Sequence, residues 1–408
     1  MRADGRPGMR YARGDGSRVR ALAARLVAEG RFAGVSWRVT HRSEAVDEGA
    51  LGHADHALER PLGTDAIHRV YSMTKPIVSI VALQLVEEGR LALDTPIARR
   101  LPGFAAPRVL GADGRLADLL RPITVEDLLT HRAGLSYDFL PDCEIASRYR
   151  EARLAEDGTR SLEALVAELA ALPLAEQPGT RYRYSYAIDV LAHLLERVLD
   201  RPLREVLAER LLAPLGMEET DFGVAPGSRS RLVAMHGLKN LGEVPVEIAP
   251  ETQTLHPMDV SESYPDDRPE RFARGGHGLF STLDDYARFA RLLGDGRAAS
   301  GETLLSAPML DMLWRNRLAR DQLPVTIGGV PMPGYGWGLV GRVMLDVGEA
   351  AQLTVDGEGG WAGAASTWFW VDRANGVEGV VLAQFLGSAV PLGPLMTAAA
   401  YAGFVRDA

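Results

Sequence analysis

Two kinds of hydrophobic spacing occupy different stretches of this chain, and their order restricts the folds open to it. Near the start, residues 18–29 (RVRALAARLVAE) repeat apolar positions at helical spacing before Gly30, and 32–40 and 44–51 then read as two strands able to pair as a hairpin. The middle is helical by the same test: 125–130, 161–172, 188–199 and 202–212, separated by Pro- and Gly-rich loops such as AEQPGT at 175–180. Another amphipathic helix is predicted over 283–293, with Ser281 or Thr282 as its N-cap. From Tyr335 onward aromatic and β-branched residues crowd into short runs. Residues 363–371 and 377–385 read as strands joined by Asp372-Arg373-Ala374-Asn375-Gly376, whose Asn-Gly pair suits positive φ in a hairpin. Residues 391–405 return to helical spacing. This order predicts an α+β fold: a central antiparallel sheet built from both termini and flanked by helices, plus a mostly helical lobe. A chain of 408 residues also exceeds the roughly 250–300 residues one core serves, so two lobes are expected. The boundaries read as 1–70 with 225–408 for the sheet lobe and 71–224 for the helical lobe.

Composition removes several alternatives. The chain is 46% hydrophobic and 24% charged, ordinary values that exclude a disordered chain, a collagen-like repeat and a coiled-coil rod. The single Cys143 cannot form an internal disulfide and excludes a multi-cysteine metal site. Net charge is -9, but acidic and basic residues interleave along the chain, which disfavours nucleic-acid binding. Residues 1–20 lack an apolar signal-peptide region and no 18 uncharged apolar residues run together, so a cytoplasmic location without membrane spanning is expected. There is no internal repeat and no low-complexity segment.

Of 45 basic residues only Lys75 and Lys239 are lysine. Arginine stays protonated in proteins, whereas a buried lysine can lose its proton and act as a base, so each lysine asks for a reason. Lys75 closes Ser72-Met73-Thr74-Lys75 at the start of a helix predicted from Ser72 to Gly89, with Ile77, Ile80, Val81, Ala82, Leu85 and Val86 on one apolar stripe. Residues three apart share a helix face, so the hydroxyl and the amine can meet. A serine at a helix start also lies near free backbone N–H groups that stabilise an oxyanion. The plainer reading is a serine cap and a surface lysine.

Two further motifs carry chemistry. In Arg181-Tyr182-Arg183-Tyr184-Ser185-Tyr186 a tyrosine near a helix start sits between two arginines, whose charge would favour its phenolate and let it accept a proton; alternatively the aromatics pack the helix. In Gly357-Glu358-Gly359-Gly360-Trp361-Ala362-Gly363 the spacing of Gly357, Gly359 and Ala362 fits a GxGxxA dinucleotide fingerprint, but that fingerprint must open a helix and the residues after it alternate as a strand. The other reading is a Gly-rich strand start where backbone approaches a ligand, with a strand N–H, that of Ala364, aimed at the same oxyanion as the N–H of Ser72.

Taken together and in this order, the three motifs resemble the serine β-lactamase and penicillin-binding-protein superfamily. Supporting segments are 89–96 (GRLALDTP), 123–135 (ITVEDLLTHRAGL), 214–217 (PLGM) and 275–289 (GGHGLFSTLDDYARF), and the resemblance covers roughly 20–400. Two departures point to a branch. Trp361-Ala362-Gly363 stands where the family carries Lys-Thr-Gly or His-Thr-Gly, and Tyr184-Ser185-Tyr186 lacks the family's Asn, so polar recognition of a β-lactam or terminal D-alanine gives way to aromatic surface. These changes, with Asp189 following, look like the class C-like carboxylesterases of family VIII, a branch similar to the acyltransferase that loads a polyketide side chain in statin biosynthesis. The resemblance implies a DD-peptidase/β-lactamase-like fold and a serine hydrolase acting on a small-molecule ester. Ser72 would form an acyl-enzyme, with Lys75 and Tyr184 sharing its proton. The N–H groups of Ser72 and Ala364 would hold the oxyanion, and Trp361, Gly363 and Tyr186 would face the substrate. No cofactor and no metal are implied. Acyl transfer, β-lactam hydrolysis and D-alanyl-D-alanine cleavage are the alternatives within the superfamily.

Other classes fare worse. No GxSxG occurs, so the elbow of conventional Ser-His-Asp hydrolases is missing. His53 and His56 are three apart, but no HExxH accompanies them. A sensor or scaffold that has lost its chemistry is disfavoured by intact Ser72, Lys75 and Tyr184.

Overall fold

The computed structural model describes residues 9–12, 17–111, 113–141, 143–155, 158–237 and 253–406; Lys239 lies outside the described residues. Strands β1 (Gly34–His41), β2 (Glu44–Asp55) and β3 (Arg60–Pro61) come from the first part of the chain. Strands β4 (Tyr335–Trp337), β5 (Arg342–Met344), β6 (Gly359–Gly363), β7 (Thr367–Asp372) and β8 (Val377–Leu382) come from the last part. They form one sheet in the order β4-β5-β6-β7-β8-β1-β2-β3. Every pairing is antiparallel, and β8 joins the two ends of the chain through the register Val377↔His41 to Leu382↔Ser36.

Alternation along the strands decides which helices cover which face. Trp368 and Trp370 of β7 enter one apolar cluster with Val35, Trp37 and Val39 and with residues of helices α1 (Arg18–Ala28) and α6 (Leu392–Tyr401). Phe369 and Val371, pointing the other way, join a second cluster with α5 (Leu283–Asp295). That second cluster runs on without a break into α2 (Thr74–Glu87), α3 (Val125–Leu129) and α4 (Ala187–Leu199). Helix α2 is therefore buried all round from Thr74 to Leu85, not along a single stripe. Among the described residues no helix is long and apolar enough to cross a membrane.

Several boundaries differ from the spacing, each for a local reason. The predicted strand 363–371 is a corner: β6 ends at Gly363, a turn carries Ser366 at φ +60, and β7 begins at Thr367. In the following hairpin only Gly376 has positive φ, +66, because Asn375 instead donates its backbone N–H to Asp372 Oδ1 at 3.0 Å. The predicted helix 202–212 is α only over Leu203–Leu207 and continues as a wider π turn. The last helix stops at Tyr401, and Phe404–Arg406 pairs with Met9–Tyr11. Thr282, not Ser281, caps α5 by accepting the N–H of Asp285.

Candidate active site

Ser72 lies in a one-turn 3-10 helix, Tyr71–Met73, and α2 starts two residues later than the spacing predicts. Tyr71 has φ +46, a conformation a bulky residue adopts only when its surroundings fix it. Its ring packs on Tyr264 at 4.7 Å, Tyr286 donates its hydroxyl to Met73 O at 2.8 Å, and Met73 N–H donates to Val70 O at 3.0 Å. Ser72 is thus held half-buried on a pinned turn, at the edge of a cavity.

Lys75 follows in the first turn of α2 and is 3% exposed. Its Nζ is 3.0 Å from Ser72 Oγ and donates to Gly276 O at 2.5 Å. Burial lowers its pKa from 10.5 to about 7, against the opposing charge of Asp189. A neutral amine that donates to Gly276 O keeps its lone pair for the Ser72 hydroxyl proton. The rings of Tyr184 and Tyr137 lie 4.7 and 5.2 Å from Nζ, and their faces favour a cation there.

Tyr184 meets the pair from the loop before α4. Its hydroxyl hydrogen bonds with Ser72 and accepts the indole N–H of Trp361 at 3.2 Å. The expected lowering of its pKa is wrong. Arg183 Nε and Nη2 donate to Glu176, and Arg181 Nη1 lies 3.8 Å from the same carboxylate, so neither arginine supports a phenolate. Burial instead pushes the phenol well above its ordinary range, so Tyr184 is neutral.

The Gly-rich stretch serves close packing and not dinucleotide binding. A Cβ at Gly359 would strike the Trp314 ring, and one at Gly363 would strike Val70 O and Thr367 Oγ1, so the end of β6 lies against the turn that carries Ser72. Ala364 is exposed in the turn after β6, outside the strand ladder where it was expected, and lines the same cavity as Ser72. Trp361 and Gly363 line it too. Tyr186 does so while donating its hydroxyl to Asp138 Oδ1 at 3.1 Å.

This cavity measures about 640 Å³. Sequence reasoning missed part of its wall: Tyr137, Phe139, Tyr264 and His277. Tyr137 and Phe139 follow the 123–135 segment and His277 falls within 275–289, which is the signal that could have found them. Burial and the charges of Lys75 and Arg274 lower His277 to about 3, so it is neutral. Asp189, noted only as a branch marker, is fully buried; its Oδ1 accepts Gly276 N–H at 2.9 Å and so fixes the bend whose carbonyl holds Lys75. His53 and His56 have ring centroids 5.7 Å apart, and among the described residues no group of three or more His, Cys, Asp or Glu is placed to hold a metal.

The class of protein follows from the sequence as a whole: the Beta-lactamase family pattern matches residues 19–402, and the chain belongs to that family. Esterase EstB of Burkholderia gladioli is 30% identical over 403 residues, covering 94% of this chain and 96% of that protein. Among solved structures, EstCE1, a hydrolase with promiscuous acyltransferase activity, superposes with a TM-score of 0.79 at 25% identity, covering 94% and 97%. A family VIII carboxylesterase shares the fold with a TM-score of 0.70 at 21% identity, covering 97% and 99%.

Proposed function

We propose that the protein is a serine carboxylesterase. The observation that carries this reading is the buried Lys75 amine 3.0 Å from a serine hydroxyl that opens onto a cavity, its pKa lowered by burial to about 7. Ser72 Oγ attacks the ester carbonyl as its proton passes to Lys75 Nζ. The oxyanion forms between the N–H groups of Ser72 and Ala364, each donor contributing about 3 kcal/mol. Collapse releases the alcohol, which takes its proton from the Lys75–Tyr184 pair; a neutral phenol hydrogen-bonded with Ser72 suits a relay better than a phenolate base. Water then attacks the acyl-enzyme along the reverse path. Trp361 in place of a cation, with Tyr137, Tyr184, Tyr186 and Tyr264, favours an apolar ester over a substrate bound by its carboxylate at that position. The esterase name of EstB supports the same substrate class.

Two tests follow from this chemistry. Because the free amine is the active form and its pKa lies at about 7, kcat/KM is expected to rise with pH, by about tenfold per unit below pH 7, and to level off above it. A profile that falls as pH rises through 7 contradicts the base assignment. In selectivity, short-chain p-nitrophenyl esters are expected to be hydrolysed at least about 100-fold faster than nitrocefin, since no cation at Trp361 holds the cephalosporin carboxylate. The reverse order would return the protein to β-lactam hydrolysis. Resolution of the acyl-enzyme by an alcohol would make the same site an acyltransferase. EstCE1 motivates that second reading, and product analysis with added alcohol tests it.

A further inference from the structure

Three residues before Ser72, Arg69 lines a second cavity of about 470 Å³, which shares the wall Met258, Asp259 and Val260 with the ester cavity. Its backbone is clamped: the N–H donates to Gln384 Oε1, and the carbonyl accepts Gln384 Nε2, both at 3.0 Å. The guanidinium is not. Arg69 is 7% exposed, no carboxylate among the described residues forms an ion pair with it, and its Nε has no acceptor. The Phe280 and Tyr264 rings lie 5.3 and 6.0 Å from its central carbon, and the attractive charges of Asp259 and Asp266 act from farther off. The other cations of this cavity are already engaged. Arg60 donates to Ser230 O and Leu232 O at 2.8 and 2.7 Å, and Arg229 Nε lies 3.7 Å from Asp266.

A buried charge is normally paired, because taking a guanidinium out of water without a counter-ion is strongly unfavourable. Arginine does not escape by losing its proton. Ring stacking compensates only part of that loss. Nε itself is sealed from solvent, but neither Nη has a hydrogen-bond acceptor among the described residues, and a guanidinium with unengaged donors at a cavity wall matches a carboxylate better than any neutral group.

We propose that this cavity binds the carboxylate of a small organic acid through Arg69. The acid is either a free ligand or the carboxylate end of an ester whose other end lies at Ser72; only the second source rests on the esterase reading.

Calorimetric titration of the full chain with benzoate tests the site directly, with benzamide as its uncharged counterpart and inorganic phosphate as a second anion. Benzoate is expected to bind at least about tenfold more tightly than benzamide and phosphate, and to weaken at least about tenfold in Arg69→Gln but little in Arg60→Gln. Equal binding of benzoate and benzamide, tighter binding of phosphate, or unchanged benzoate binding in Arg69→Gln overturns the proposal. Should Arg69→Gln fail to fold, Arg69→Lys keeps the charge without the fork and is expected to bind benzoate more weakly, while the wild-type contrast decides by itself. Kinetics then identify the source. A higher kcat/KM for the p-nitrophenyl hemiester of succinate than for p-nitrophenyl butyrate, lost in Arg69→Gln, assigns the carboxylate to the substrate; no such advantage with benzoate binding intact assigns it to a free acid. Benzoate binding without turnover of either ester would sink the esterase reading alone, and turnover of both without the benzoate contrast would sink this proposal alone.

Discussion

Replacing Lys75 by Met is expected to lower kcat/KM for a short-chain p-nitrophenyl ester by about 10³ while leaving the fold intact. The methionine side chain has nearly the length of lysine, fills the same buried channel, and cannot accept the Ser72 proton. It also removes a group that burial already disfavours in its charged form. Between pH 7 and 10.5 that amine is neutral in the folded chain and charged in the unfolded one. Its destabilising contribution is therefore complete below pH 7 and fades as pH rises towards 10.5. The thermal midpoint of Lys75→Met at neutral pH should accordingly match or exceed that of the wild type. Lys75→Arg should lose as much activity for a different reason, since a guanidinium keeps the charge but offers only donors. Steady-state kinetics paired with thermal unfolding check both variants. Activity above about one hundredth of wild type in a folded Lys75→Met protein would remove the lysine from the role of base.

Gly363→Ala should damage the site without touching a reacting group. A Cβ at this position meets Val70 O, the acceptor of the Met73 N–H that closes the Ser72 turn, and Thr367 Oγ1, which itself donates to Val70 O at 3.3 Å. One methyl therefore pushes apart the turn that carries Ser72 and the strand end that leads to Ala364. Overpacking of this kind typically lowers stability by about 2 kcal/mol. A shift of about 1 Å between nucleophile and oxyanion donors typically lowers turnover by about 10². Gly227→Ala, where nothing lies within 4 Å, is the control and should be neutral in both measurements. Wild-type turnover in Gly363→Ala would mean that close apposition of β6 and the turn is not needed.

Local periodicity carried the sheet and helices well, because alternation in β7 and β8 and the helical repeat of α1, α4 and α5 agree with the faces they bury. The Ser72–Lys75 contact was legible for the same reason: three residues in one turn meet wherever the turn sits. What the spacing could not convey depends on distant groups. The positive φ of Tyr71 is held by Tyr264, nearly two hundred residues away in the chain, and nothing in Tyr-Ser-Met announces it. The two arginines just before Tyr184 suggest an acidic phenol, but Glu176 takes them up and burial reverses the direction of the shift. Tyr137, His277 and the clamp of Asp189 on Gly276 come from three separate segments, and only folding brings them to Lys75. Arg69 has no local mark at all, since its lack of a counter-ion is a fact about its neighbours.

The central claim is that Ser72 becomes acylated. Acid-quenching the protein during turnover of a slowly hydrolysed p-nitrophenyl ester, followed by peptide mass analysis, should find the acyl group on the peptide containing Ser72 and nowhere in Ser72→Ala. An acyl group on another residue, or a Ser72→Ala variant that still hydrolyses the ester at the wild-type rate, would contradict it.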